Sequence, residues 1–214
     1  MNMNRSRSSL ALSIAIALLS AQAASGQRSS PMGDPRVVRL HDGRNALDIV
    51  GDGGTGEVDI AVRENFNAHG HHVAIFFVRA PLYPGEARSP RAWQVVPFFG
   101  VHGDSLTADE LFGTTEGADC TLRDLRVIAG SGGRPVTVVV GERELAGGYA
   151  DSASVRFQYY ELRVNRSESV GYPTYRFAPT RVVQAKGRYC DVDDAFQQEL
   201  GLGGAGLVEW NGPR

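Results

Sequence analysis

Alternation of apolar and polar residues with a period of two dominates this chain, and helical periodicity is scarce. Val58, Ile60 and Val62 alternate with Asp59, Ala61 and Arg63, the pattern of a strand with one buried face. Val73 to Val78 is continuously apolar and predicts a central strand. Trp93 to Phe99, Leu122 to Ala129 and Pro135 to Val140 are further strands, with Gly132-Gly133 as a hairpin-like turn between the last two. The longest strand runs from Ser154 to about Asn165. Its apolar positions change phase, from Val155, Phe157 and Tyr159 to Tyr160, Leu162 and Val164, which predicts a bulge. A turn through Glu168 to Gly171 leads to its partner, Tyr172 to Tyr189, and the two form a twisted ribbon.

Two short helices interrupt this pattern. Thr107-Ala108-Asp109-Glu110 has capping-box spacing before Leu111 and Phe112. Near the C-terminus, Asp191 is a natural N-cap, and Asp193 and Asp194 place negative charge at the positive end of the helix dipole. Val192, Ala195, Phe196 and Leu200 form one apolar stripe, and Gly201 stands where a left-handed cap belongs. The predicted fold is mostly β, a single domain of antiparallel strands arranged as a twisted sheet or sandwich over residues 37–203, with one or two short helices. Residues 27–36 read as a flexible leader and 204–214 as a loose tail.

The first 26 residues change the setting. Arg5 and Arg7 precede the apolar run Leu10 to Leu19, and Ala21-Gln22-Ala23 or Ala24-Ser25-Gly26 supplies small residues at cleavage-site spacing. This is the pattern of a secretory signal peptide, too short to span a bilayer, and no later stretch approaches ~20 apolar residues. An exported chain acting in the periplasm or outside the cell is expected. Removing Arg5 and Arg7 takes the formal charge from −2 to −4, which argues against a nucleic-acid partner. In an oxidising compartment the two cysteines, Cys120 and Cys190, are most simply a disulfide.

Three segments carry candidate chemistry. Asp48, Asp52 and Asp59 fall at the first, fifth and twelfth positions of an EF-hand-type calcium loop, with Gly53 at the turn. Val50 stands where the third ligand should be and Gly56 brings no side chain at the ninth, so a glycine-rich turn capped by its own acids is the simpler reading. His69-Gly70-His71-His72 is a dense histidine cluster in which His69 and His71 could share a face and hold zinc. No acid follows as the metallo-β-lactamase pattern requires, and a polar turn into a buried strand explains the cluster as well. The third segment, Glu142-Arg143-Glu144 with Gly147-Gly148-Tyr149-Ala150-Asp151, joins two strands. Here Arg143 could grip a ligand carboxylate, with Tyr149 and Asp151 nearby, or pair with its own acids in a solvated hairpin.

The sequence holds no G-x-S-x-G elbow, Ser-x-x-Lys, His-Glu-x-x-His or phosphate loop. Gly117-Ala118-Asp119-Cys120 before Leu122-Arg-Asp-Leu-Arg126, the Glu142–Asp151 segment, Tyr189-Cys190-Asp191-Val192 and Asn45-Ala46-Leu47-Asp48 together resemble the periplasmic carbapenem intrinsic-resistance proteins, the CarG-like group. The resemblance runs from about Val37 to Gly201. It implies a small exported β-rich protein that protects a bacterium against a carbapenem without a recognisable lactamase site. A non-enzymatic protein with no cofactor is therefore expected, binding a small molecule such as a carbapenem or an envelope protein. The alternatives are a metal-dependent hydrolase built on His69–His72 and an envelope interaction module with no small ligand.

Overall fold

A computed structural model describes residues 36–54, 56–64, 70–82, 88–102, 105–116, 120–145, 147–165 and 173–203. The segments expected as signal peptide, leader (all but its last residue), tail and the turn at 168–171, and His69, lie outside them. All described residues belong to one compact unit, Asp34–Arg214.

Among the described residues, twelve strands and one helix follow one another: β1 (Gly43–Leu47), β2 (Gly56–Glu64), β3 (Gly70–Pro81), β4 (Arg91–Val95), β5 (Phe98–His102), β6 (Ser105–Asp109), β7 (Phe112–Gly113), β8 (Thr115–Glu116), β9 (Thr121–Ile128), β10 (Thr137–Arg143), β11 (Ala153–Val164), β12 (Tyr175–Tyr189) and α1 (Val192–Leu200). They build two sheets. One has the order β1-β2-β3-β4, with β7 also paired to β3; the other runs β6-β5-β12-β11-β10-β9-β8. Every pairing is antiparallel except β5 with β12, which meet in parallel at Phe98 and Phe177.

The two sheets face each other across an apolar layer. Val58, Phe76 and Val78 come from the first sheet, and Phe98, Leu125, Val138, Val140, Leu162 and Phe177 from the second. Phe177 stacks on Phe98 with centroids 4.8 Å apart and meets Phe76 edge-on at 5.1 Å. Such aromatic geometries add to the area buried. A second layer lies on the far face of the larger sheet, where Val139, Val155 and Phe157 pack against Val192, Ala195 and Phe196 of α1. With both faces covered, β10 buries consecutive valines, Val138, Val139 and Val140. Gly141 lets the helix approach, because a Cβ there would lie 2.6 Å from Val192 and 2.8 Å from Phe196.

The two cores revise the reading of the longest strand. Val155, Phe157 and Tyr159 face the helix layer, whereas Tyr160 and Leu162 face the sandwich layer. The phase change in β11 is thus an ordinary alternation between two covered faces. The irregularity at this level lies on the partner strand: Tyr159 pairs with Arg181 and Tyr160 with Pro179, so Thr180 is the extra residue.

Two other expectations are corrected. Residues 107–110 are not helical, because Thr107, Ala108 and Asp109 form β6 and pair with Gly100, Phe99 and Phe98. A capping box without a helical stripe behind it supplies a nucleus and no propagation, and strand pairing wins. The stretch 93–99 is two strands rather than one. The chain crosses between sheets at Val96-Pro97, where Val96 N–H donates to the Phe76 carbonyl and the Pro97 carbonyl accepts from Phe177 N–H, each at 2.8 Å. Proline has no N–H for a ladder, which suits it to this crossing.

The C-terminal helix forms as its caps dictate. Asp191 accepts a hydrogen bond from Asp193 N–H, and Gly201 sits at φ 66°. Cys120 and Cys190 are joined, their Cα atoms 5.7 Å apart, so the bridge fastens the residue before the helix to the start of β9.

Candidate functional site

The turn between β1 and β2 is held by its own acids. One oxygen of Asp48 accepts from Gly51 N–H at 2.7 Å and the other from Gly53 N–H at 2.9 Å. Asp52 Oδ1 accepts from Gly54 N–H at 2.7 Å. Gly51 and Gly53 take φ 82° and 76°, which only glycine adopts freely. Asp59 is exposed on β2, opposite Arg44 and Ile75. The three aspartates are therefore not gathered, and among the described residues no three His, Cys, Asp or Glu side chains are placed to hold a metal. Of the histidine cluster, His69 lies outside the described residues, so its pairing with His71 is not placed, while His71 and His72 belong to β3. His72 is buried, and its N–H donates to Thr114 Oγ1 at 2.8 Å.

Arg143 does neither of the two things its sequence context suggested. It is 3% exposed, and its guanidinium is directed at backbone carbonyls. Nη1 donates to Asp151 at 2.5 Å and to Cys190 at 3.2 Å; Nη2 donates to Tyr149 at 2.9 Å and to Gly148 at 3.3 Å. Glu142 instead pairs with Arg156 on the neighbouring strand β11 at 3.0 Å, and Glu144 is exposed. Position 143 falls on the helix face of the sheet, two residues beyond Gly141, and this alternation turns the side chain inward beneath the loop. The loop itself carries Leu145 and Tyr149, the most exposed large apolar residues described, at 68% and 59%. Asp151 closes over Gly147, where a Cβ would come within 2.6 Å of its carboxylate.

A charged cluster that sequence reasoning missed lies under α1. Arg126, 1% exposed, bonds Asp124 through Nη1, Asp193 through Nη2 at 2.7 Å and the Leu202 carbonyl through Nε at 3.1 Å. Its guanidinium lies 4.4 Å over the Phe196 ring. Burial pushes the Asp124 carboxyl up to about 7 against the opposing pull of Arg126, and the neighbouring Asp193 adds to the rise. The signal was present in the sequence as charges alternating with the apolar positions of β9.

A cleft of about 430 Å³ opens at one end of the sandwich. The β1–β2 turn forms one wall, with Val50, Asp52 and the backbone of Gly53 and Gly54, while Arg79, Arg91 and Tyr175 come from β3, β4 and β12. These residues stand far apart in sequence, and Arg79, Arg91 and Tyr175 were not singled out there.

The fold defines the molecule as an exposed-loop β-sandwich of two largely antiparallel sheets, backed on one side by a disulfide-fastened helix. No family model matches the sequence, and no curated protein matches it. Among solved structures, the crystal structure of CarG is similar, with a TM-score of 0.60 over 81% of this chain and 99% of that one, at 20% identity. The chain is CarG-like in fold.

Proposed function

We propose that this is an exported, non-enzymatic protein that acts by binding, with the loop at residues 144–151 as its contact surface and carbapenem tolerance as its role. The observation that carries this reading is the clamp of Arg143. A buried guanidinium holding successive carbonyls freezes the loop from within, while Leu145 and Tyr149 remain outside. A loop ordered before contact pays little entropy on binding, and an exposed tyrosine offers a large, stiff, amphipathic surface. The disulfide suits an oxidising compartment. The resemblance to the carbapenem intrinsic-resistance family supplies the antibiotic, and the likeness to CarG in fold is consistent with it.

The test is expression of the full chain in a carbapenem-sensitive bacterium, compared with Tyr149→Ser. The wild-type chain is expected to raise the drug concentration that stops growth, and the variant to lose that protection while melting as the wild type does. No protection from the wild type would refute the tolerance role. Protection undiminished by Tyr149→Ser would move the action off this loop, and carbapenem hydrolysis by the purified protein would refute a non-enzymatic mechanism.

A further inference from the structure

We infer that the cleft between the β1–β2 turn and the ends of β3, β4 and β12 binds a small molecule bearing a single carboxylate on an apolar body. Its charges select the ligand. Arg79 and Arg91 line it with Asp52, so the site carries one more positive than negative group, the complement of a monoanion. Arg91 Nη2 donates to the Arg79 carbonyl at 2.5 Å, which orients its guanidinium and leaves its other N–H groups for a ligand. Arg79 is exposed, and its guanidinium has no hydrogen-bond or ion-pair partner among the described residues. Two guanidinium forks at one mouth suit a carboxylate, which accepts paired N–H bonds. Val50 and the Tyr175 ring supply apolar surface for the rest of the ligand.

The wall opposite the arginines is built before any ligand arrives. Asp48 caps Gly51 and Gly53, Asp52 caps Gly54, and Ile49 is fully buried as the anchor of the turn. Val136 N–H donates to the Ile49 carbonyl at 3.0 Å, tying the turn to the segment before β10. Gly51 allows that approach, since a Cβ there would meet the Arg134 carbonyl at 2.3 Å. Asp52 keeps one carboxylate oxygen outside its own turn bond, and this negative charge opposes a phosphate dianion more than a monocarboxylate.

This site shares no residue with the loop at 144–151 and stands whether or not that loop is the contact surface. The test follows backbone amide resonances of the isotopically labelled full chain during titration with N-benzoylglycine, its uncharged amide and inorganic phosphate. Saturable shifts at Gly53 and Gly54 with N-benzoylglycine are expected. The uncharged amide, and the variant Arg79→Gln, are each expected to weaken binding roughly tenfold, the loss of one charge-assisted contact. Equal binding of the neutral amide, tighter binding of phosphate, shifts unaffected by Arg79→Gln, or no saturable shift would each overturn the proposal. The amide comparison needs no variant, so it decides the matter even if Arg79→Gln folds poorly.

Discussion

Replacing Arg126 by methionine tests whether α1 rests on an ion pair that cannot be half removed. Methionine retains an apolar stem at a position 1% exposed and removes the bonds to Asp124, Asp193 and the Leu202 carbonyl. Asp124 then stays buried, with the Leu125 N–H at 2.7 Å as its backbone donor. Stranding one member of a buried pair costs about 3–5 kcal/mol, and in a chain of this size that lowers the melting temperature by roughly 10 °C. The loss depends on pH. Burial raises the Asp124 carboxyl from 3.8 to about 7, so the folded chain holds a proton that the unfolded chain has already released. Stability from this site is therefore greatest below about pH 4 and falls as pH rises through about 7. Without Arg126 nothing opposes the rise, and the variant should lose most at pH 8 and least at pH 5. Urea unfolding of the oxidised protein at both pH values measures this. Equal losses would show that packing, not a stranded carboxylate, is responsible, as would failure of Asp124→Asn to rescue Arg126→Met at pH 8.

Serine at both Cys120 and Cys190 opens a loop spanning a sequence separation of 70. The chain-entropy model puts the cost at about 4 kcal/mol, read from the denaturant midpoint; an unchanged midpoint would contradict it. Arg143→Met removes the donor from the carbonyls of Gly148, Tyr149, Asp151 and Cys190. Water can reach part of this loop, so the expected cost is about 2 kcal/mol. Hydrogen exchange at Asp151 N–H should accelerate while β9 and β10 stay protected, and unchanged exchange would show that Arg143 does not hold the loop.

What could be read from the sequence was whatever local contacts decide. The turn at Asp48 was legible as a self-capped glycine turn because its hydrogen bonds join residues three and five apart. Helix α1 was legible because its N-cap, stripe and glycine C-cap all lie within one short segment. The phase change in β11 was visible and a register shift falls where the bulge was expected, with its extra residue on β12, but a bulge and a strand covered on both faces leave the same trace. Only the neighbours, Phe196 on one side and Phe98 on the other, distinguish them. Arg143 was seen as important, but one of its partners, Cys190, stands 47 residues away. Arg126 reaches Leu202 across 76 residues, and the cleft collects Asp52, Arg79, Arg91 and Tyr175 from separate strands and a turn. No periodicity encodes such meetings.

The distant contacts join into one mechanical unit at the helix start. Cys190 is bridged to Cys120, and its carbonyl accepts from Arg143, the residue that holds the exposed loop. The next residue, Asp191, caps α1 through Asp193 N–H at 2.7 Å and accepts from Thr121 N–H at 3.2 Å, beside Cys120. Disulfide, helix cap, β9 and loop therefore meet within a few residues of one another. Interactions that share partners in this way are not additive, because releasing one loosens the groups that hold the rest. The covalent bond sets the position of Cys190, and Arg143, bonded to the carbonyls of both Cys190 and Tyr149, ties that position to the loop. The buried pair of Asp124 and Arg126 on β9 meets the same helix two residues further along, where Arg126 bonds Asp193. The order of the loop is thus tied to the seating of α1 through Cys190 and Arg143.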